Sequence, residues 1–306
     1  MAKCLLSLLL ILVFSITAVA DVRDQVYSFG LATTNIYQIN ANGTVTNVFT
    51  NYAGGSPTAS AGQRASDGMI FFVTQVANGQ VYRWNPSTPA TAPVLLGTTG
   101  AAVPYIPRFA FSVSGVLYAV DTNTANLYTI NQNTGAATVV AALSGVPTNL
   151  GGDIGFGPDG VLYMVAGTTI YTVPLTGGAV TSLGTISGLV GGASIVGMTF
   201  DFNGNMLVED DQDPAQLYTV ALPSRVATAF SGTMTTSQGD LASAPRVKIT
   251  GTIFEDVNYG GGAGRSLVAA SGVVRATARV ELYDSAGTFV TSTTTNASGV
   301  YTLTGA

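Results

Sequence analysis

Four carboxylates lie within residues 209–213, which form the strongest local concentration of charge in the sequence. Carboxylates this close repel one another unless water solvates them or a cation neutralises them, and hard oxygen ligands suit Ca²⁺. The sequence therefore predicts either a calcium-binding loop or a solvated acidic loop. The candidate calcium ligands in this segment are Glu209, Asp210, Asp211 and Asp213.

A second set of charged residues comprises Arg108, Asp153 and Asp240, each of which stands near the beginning of a strand-like segment. Equivalent positions in repeated units of a propeller converge on one axis, so we expect these side chains to ring a central channel. One interpretation is a polar or cation-binding mouth that takes a ligand. The other is structural, with the aspartates capping loop amides and pairing with Arg108.

The composition excludes several kinds of chemistry and partner. The 306 residues include no His and one Cys, which excludes Ser-His-Asp triads, Cys-His pairs and imidazole-zinc sites. A formal net charge of -5 leaves no basic surface to neutralise phosphates, so nucleic acids and anionic membranes are not expected partners. Hydrophobic residues make up 47% of the chain, which is enough to build a sizeable core.

The elements that position these residues repeat along the chain. Five tyrosines, each preceded by an apolar residue, lie 45, 46, 43 and 47 residues apart, and Asp-Gly, Asn-Gly or Ser-Gly turns precede the last four. Such turns join antiparallel strands, so each unit predicts a four-stranded meander, the pattern of a β-propeller blade. The sequence predicts five blades, with residues 240–244 completing blade one, or six if a degenerate blade lies within 51–64. The tyrosines are Tyr37, Tyr82, Tyr128, Tyr171 and Tyr218.

The first twenty residues have the pattern of a secretory signal peptide. Lys3 precedes an apolar run over residues 5–16, and residues 18–20 form a small-x-small cleavage site. No later apolar run reaches the roughly 18 residues that a membrane helix needs. We therefore predict a signal peptide over 1–20, a propeller over 21–245 and a separate β module over 246–306. The mature protein is expected to be secreted, extracellular or attached to a bacterial cell surface.

The C-terminal module carries three motifs in order: GTIFEDVN at 251–258, VELYDSAG at 280–287 and TTNASGVY at 294–301. This segment resembles the B-type repeats of staphylococcal serine-aspartate surface proteins and the related collagen-adhesin B-type domains. The resemblance implies an immunoglobulin-like β-sandwich, here incomplete, that acts as a spacer in a longer bacterial surface protein. It also implies a second calcium candidate, because Asp256 and Asn258 match the first ligands of that family's calcium loop, although 259–265 supplies no further carboxylate.

Two classes of function compete. The leading hypothesis is a non-catalytic adhesion or display protein, in which the propeller binds an extracellular protein or glycan and the β module is a spacer. The alternative is a calcium-dependent propeller hydrolase or lyase, lactonase-like or glycan-active, that uses the channel carboxylates. An enzyme of that kind needs at least two carboxylates that converge at metal distance, whereas a display module does not.

Overall fold

The structure is a computed structural model that describes residues 21–30, 34–40, 43–52, 57–76, 78–100, 108–121, 123–147, 150–233, 238–258, 265–283 and 287–304. It begins with a 3₁₀ turn, Val22–Asp24, in which the Asp21 side chain caps the turn by accepting a hydrogen bond from the Arg23 amide. Across these described ranges, no helix has both the length and the apolar character required to cross a membrane.

Each repeat unit folds into a four-stranded antiparallel sheet. Runs rich in Val, Ile, Phe and Tyr favour extended backbone, and the turns use positive φ at glycines such as Gly115 (+81°) and Gly160 (+76°). The propeller strands, in chain order, are β1 (Val26–Gly30), β2 (Ile36–Ile39), β3 (Val45–Phe49), β4 (Thr58–Gln63), β5 (Ile70–Thr74), β6 (Gln80–Trp84), β7 (Val94–Thr98), β8 (Phe109–Phe111), β9 (Leu117–Asp121), β10 (Asn126–Ile130), β11 (Ala137–Ser144), β12 (Gly152–Phe156), β13 (Leu162–Ala166), β14 (Thr169–Val173), β15 (Gly178–Ala179), β16 (Thr181–Thr185), β17 (Ile195–Phe200), β18 (Met206–Asp210), β19 (Gln216–Ala221), β20 (Val226–Thr233) and β21 (Gln238–Ser243).

The strand order confirms a five-bladed β-propeller. Blade one is β21-β1-β2-β3, blade two is β4 to β7, blade three is β8 to β11, blade four is β12-β13-β14-β16 and blade five is β17 to β20. The short strand β15 adds to blade three by pairing in parallel with β11. The stretch 51–64, where a sixth blade was the alternative, contributes β4 to blade two instead.

The closure of the ring is confirmed as well. Strand β21 pairs with β1 from the far end of the repeat region, with Val26 opposite Ser243 and Phe29 opposite Asp240. It supplies the innermost strand that blade one lacks, so β1 is paired on both sides and the two ends of the repeat region are joined in one sheet. The innermost strands β4, β8, β12, β17 and β21 together surround the axis.

The hydrophobic core lies between neighbouring blades. The only tryptophan, Trp84, is 1% exposed and packs edge-on against Tyr27 of blade one, with ring centroids 5.8 Å apart. Its indole nitrogen donates to the Thr91 carbonyl, which satisfies its one polar group. Because the blades bury their apolar faces against each other, polar side chains can occupy the ends of the inner strands.

The C-terminal module consists of three two-stranded antiparallel sheets: β22 with β27, β23 with β24, and β25 with β26. Among its described residues, Ala270, Thr295 and Leu303 are buried, while Val268 is 88% exposed. The immunoglobulin-like sandwich predicted for 246–306 stays a prediction, because these three pairs do not by themselves define that fold. The strands are β22 (Lys248–Thr252), β23 (Phe254–Glu255), β24 (Val273–Val274), β25 (Arg279–Tyr283), β26 (Phe289–Thr294) and β27 (Val300–Thr304).

Candidate functional site

Polar side chains from four blades meet near the axis, at the end of the channel where the inner strands begin. They are Ser60 in β4, Arg108 immediately before β8, Asp153 in β12 and Asp240 in β21, and all four are fully buried. We call these residues the channel cluster. The structure thus brings together the three residues that the sequence placed around the channel and adds Ser60 to them.

Asp153 connects three blades through its carboxylate. One oxygen, Oδ1, accepts a hydrogen bond from Ser60 Oγ of blade two at 3.2 Å. The other, Oδ2, accepts from the Met198 amide of blade five at 3.0 Å. Since both oxygens receive donors from the protein, Asp153 is the member of the cluster best equipped to carry a negative charge.

The Asp240 carboxyl faces that of Asp153 but lacks its donors. No donor in the described residues reaches either Asp240 oxygen with good hydrogen-bond geometry, and only the Leu241 and Ala61 backbone amides lie near enough to oppose the rise of its pKa. Burial raises the pKa of both carboxyls, and the neighbouring Asp153 charge raises the pKa of Asp240 further. Two buried carboxyl groups in contact hold a proton between them. That proton belongs on Asp240, where it makes a donor that Asp153 can accept.

Arg108 supplies the positive charge of the cluster. Its guanidinium donates to the Leu150 carbonyl at 3.1 Å and to Met164 Sδ at 3.0 Å, and burial lowers its pKa to about 10, against the opposing effect of Asp153. Arg108 therefore stays charged at neutral pH and balances one ionised carboxylate. The second carboxyl of the pair must be neutral for the buried charges to cancel.

Glu209 lies in the second strand of blade five and points between blades five and one. Both of its carboxyl oxygens lie near Ser28 Oγ of blade one, at 3.3 and 3.4 Å, and the residue is fully buried. Burial raises the pKa of this carboxyl well above its ordinary value, although the Ser28 contact opposes the shift. Glu209 is thus a buried inter-blade residue and not part of a solvated loop.

The other carboxylates of the acidic segment point in different directions. Asp210 turns back on its own loop, where Oδ1 accepts from the Gln216 amide at 2.8 Å and Oδ2 accepts from Tyr218 Oη at 3.1 Å. Asp211 is exposed and accepts from the Ser194 amide at 3.0 Å, and Asp213 is exposed. Side chains alternate along a strand, so Glu209 and Asp210 lie on opposite faces of β18.

Replacing Asp210 with Ala should destabilise the propeller, because the buried Tyr218 hydroxyl and the Gln216 amide would lose their acceptor. A buried donor left unsatisfied costs about 1–3 kcal/mol, which corresponds to roughly 2–4 °C in Tm for each kcal/mol in a domain of this size. Thermal unfolding by circular dichroism measures the change. Asp213→Ala, at an exposed position in the same loop, is the control and should leave the Tm unchanged. Equal losses in the two variants would contradict this role for Asp210.

The candidate calcium ligands of the C-terminal module have protein partners. Arg265 lies with Nη1 3.6 Å from Asp256 Oδ1 and donates to the Asn258 carbonyl at 2.9 Å. The Asn258 amide group donates to Ser271 Oγ at 3.2 Å. A cationic side chain therefore stands beside Asp256. Within the ranges that the structure describes, no three His, Cys, Asp or Glu side chains converge in a way that could hold a metal ion.

Several residues of these networks were not predicted. Ser28 and Ser60 contact carboxyls 181 and 93 residues away, and no local pattern distinguishes them from other serines in strands. Asp121 could have been predicted from the repeat pattern. It is the last residue of the second strand of blade three, and Asp210 is the last residue of the second strand of blade five. Asp121 is fully buried and accepts from the Asn123 amide at 2.9 Å and from Thr124 Oγ1 at 2.8 Å.

Comparison with solved structures supports the fold alone. A structural genomics protein of unknown function from Bacteroides thetaiotaomicron aligns with a TM-score of 0.53 at 15% identity, over 73% of this chain and 62% of that one, so the present chain spans less than two thirds of it. Virginiamycin B lyase from Staphylococcus aureus aligns with a TM-score of 0.40 at 13% identity, over 69% and 71% of the two chains. A chain of a nidogen/laminin complex aligns with a TM-score of 0.45 at 11% identity, over 71% and 97%.

Sequence comparison identifies the family. No curated protein sequence matches the chain. A family model described as a repeat of unknown function, DUF6923, matches residues 18–178, which is more than half of the chain and includes strands β1 to β14. The protein therefore belongs to the DUF6923 family of repeats of unknown function.

Proposed function

We propose that the protein is a secreted or cell-surface binding protein, in which the propeller is a non-catalytic interaction module and the C-terminal β module is a spacer. The observation that carries this proposal is the bonding of Asp153. Its two carboxylate oxygens join blade four to blades two and five, and the side chain is fully buried. A carboxylate bonded in this way has a structural role, because it holds neighbouring blades together.

The same argument extends to the other acidic residues. A catalytic acid or base must come within hydrogen-bonding distance of the substrate proton that it transfers. Asp210 and Asp121 instead receive hydrogen bonds from their own loops, and Asp240 faces Asp153 inside the channel. The alternative, a calcium-dependent hydrolase or lyase, would require these side chains to leave their partners and converge on a metal.

The proposed export rests on the signal-peptide pattern of residues 1–20, which lie outside the described residues. Asp21, the expected first residue after cleavage, caps the first turn and forms an ion pair with Arg23. The hydrogen bond from the Arg23 side chain lowers the pKa of Asp21 to about 2. We expect the protein recovered from the medium or cell surface of a secreting host to begin at Asp21, as determined by N-terminal sequencing. An intact N-terminus on protein retained inside the cell would contradict the proposed export.

The binding function is separated from catalysis by measuring both on the same sample. Protein comprising residues 21–306 would be screened against immobilised extracellular proteins and glycans, and each bound ligand would then be incubated with the protein and analysed by mass spectrometry. We expect binding with the ligand recovered unchanged. Conversion of a ligand, lost in the Asp153→Asn variant, would instead establish the hydrolase or lyase.

The calcium proposal is tested by thermal unfolding with millimolar Ca²⁺ and with chelator, alongside calorimetric titration. If the acidic residues hold calcium, the Tm should rise in calcium at a stoichiometry of one or more, because a ligand that binds only the folded state stabilises it. Glu209→Gln and Asp256→Asn separate the two candidate regions. An unchanged Tm in calcium would mean that protons and protein donors alone satisfy these carboxyls.

A further inference from the structure

A pocket with a volume of about 280 Å³ opens between blades five and one, at the end of the channel opposite the channel cluster. We call it the seam pocket. Blade one contributes residues at the start of β1 and the end of β2, and blade five contributes the turn between β17 and β18 together with Leu207 and Phe230. None of the residues discussed above as site candidates lines it.

The seam pocket lies where the ring closes. In blade five, as in blades two to four, a turn joins the innermost strand to the second strand, and Asp201 and Asn205 close that turn with a backbone hydrogen bond of 2.9 Å. Blade one has no equivalent turn, since β21 ends at Ser243 and β1 begins at Val26 from the other end of the chain. In its place the segments that precede β1 and follow β21 lie side by side, where Arg246 pairs with Asp24, and the pocket lies between them and the turn of blade five.

The floor and the rim of the pocket differ in chemistry. The floor is apolar and belongs to the core, with Val26, Ile39 and Leu207 at most 7% exposed. Phe202, which is 36% exposed, stands at the rim, where the Arg246 guanidinium lies 5.4 Å from its ring centroid. An apolar floor beneath a polar rim is the usual composition of a small-molecule site.

The polar groups of the rim are planar amides and carboxylates. Gln25, Asn40 and Asn203 contribute amides. Two of them already bond within the protein, since Gln25 Oε1 accepts from Gln38 Nε2 at 2.9 Å and Asn40 Nδ2 donates to Thr44 Oγ1 at 3.1 Å. Arg246 places a cation beside the lining, over the ring of Phe202. The two lining carboxylates are already engaged, Asp24 with Arg246 and Asp201 with Asn205. Asn203 is exposed and makes no side-chain hydrogen bond within the described part of the chain, so its donor and acceptor are available.

From this lining we infer that the seam pocket binds one ring of a neutral saccharide. Amide side chains both donate and accept, as neighbouring sugar hydroxyls require, and the apolar face of the ring can pack on the floor. Asp24 and Asp201 outnumber the guanidinium of Arg246 at the rim, so these charges together disfavour an anionic ligand. The volume lies just below the range of about 300–1,000 Å³ found for small-molecule pockets, which fits one ring and not a chain. The inference deepens the proposed function by naming its ligand class and rests on it.

The test uses residues 21–306 and four probes: glucose, galactose, mannose and N-acetylglucosamine. Saturation-transfer NMR and titration should detect binding of at least one probe, and glucuronate should bind more weakly than glucose. Asn203→Ala should weaken binding about tenfold, the equivalent of one hydrogen bond that is no longer made. Phe202→Ala should weaken it as well. Asn133→Ala, at an exposed turn on the same face of the propeller, is the matched control and should bind as the unmodified protein does.

The outcomes distinguish this inference from the proposed function. Failure of all four probes to bind, or binding that neither substitution alters, would overturn the seam pocket as a saccharide site, while other ligands could still support the binding function. If Phe202→Ala fails to fold, the binding measured with Asn203→Ala alone tests the saccharide site, because Asn203 is exposed. Conversely, binding that depends on Asn203 together with chemical conversion of the sugar in the NMR spectrum would refute the non-catalytic function and leave the site standing.

Discussion

A chain that ends after residue 237 should fail to form a stable propeller. Strand β21 contributes Leu241 and Ala242, each 1% exposed, and it pairs with β1 from Gln238 to Ser243 with one bulge. Burial of a leucine stabilises a fold by about 1.5–3 kcal/mol, and each ladder hydrogen bond adds about 0.5–1.5 kcal/mol. Together these losses approach the roughly 5–15 kcal/mol by which a domain is usually stable.

The measurement is thermal unfolding, with limited proteolysis as a second readout. A chain that ends after residue 246 is the control, because it keeps β21 and Arg246 while it lacks the C-terminal module; it should unfold cooperatively. A peptide spanning 238–246, added in trans to the shorter chain, should restore protection from protease. If the chain ending at 237 unfolds at the same temperature as the control, the closing strand is not what holds the ring together.

Replacing Asp240 with Asn should raise the Tm at pH 8 by several degrees and leave it unchanged below about pH 4. Burial raises the pKa of Asp240 in the folded protein well above its unfolded value, so the folded state binds more protons than the unfolded state. Stability is therefore greatest below the ordinary aspartate pKa of about 4 and is lost as the pH rises towards the raised value. Asn is neutral at every pH and still donates to Asp153, which removes that loss.

The matched variant is Asp153→Asn, measured over the same pH range. An asparagine cannot accept from both Ser60 Oγ and the Met198 amide as the carboxylate does, so one buried donor is left unsatisfied. We expect a loss of about 1–3 kcal/mol at pH 8, where Asp153 is ionised. The loss should be smaller below about pH 4, because burial raises the pKa of Asp153 to about 7 and the carboxyl is already neutral there. If Asp153→Asn were the variant that stabilises at high pH and Asp240→Asn the one that destabilises, the proton would reside on Asp153.

The sequence was sufficient to predict the architecture because the periodic signals are local. Turn glycines and the recurrent tyrosines located the strands of blade three to within a few residues, and the Gly-Asp pair at 239–240, which repeats the pair at 152–153, located the closing strand. Each of these signals depends on backbone conformation within a few residues. The sequence favoured five blades, and the structure excludes the sixth because the stretch 51–64 contains β4 of blade two.

The candidate sites were less predictable because they depend on how the blades curve. That Asp153 and Asp240 meet follows from their equivalent places on inner strands, but the partners Ser60 and Ser28 come from other blades at separations that no local pattern records. Strand alternation could have shown that Glu209 and Asp210 point apart. The seam pocket is lined by residues from blades one and five, which lie far apart in the sequence, so no local motif records it.

The pairing of β21 with β1 also determines how the ring would respond to tension. Val26 and Ser243 lie opposite each other, and Arg246 pairs with Asp24, so both ends of the closing ladder emerge side by side. Antiparallel strands pulled apart from adjacent ends separate one pair at a time, so the force meets only one or two hydrogen bonds at any moment. A pull transmitted through the C-terminal module would first break the ion pair between Arg246 and Asp24. It would then separate β21 from β1, so the ring would open between blade one and its closing strand.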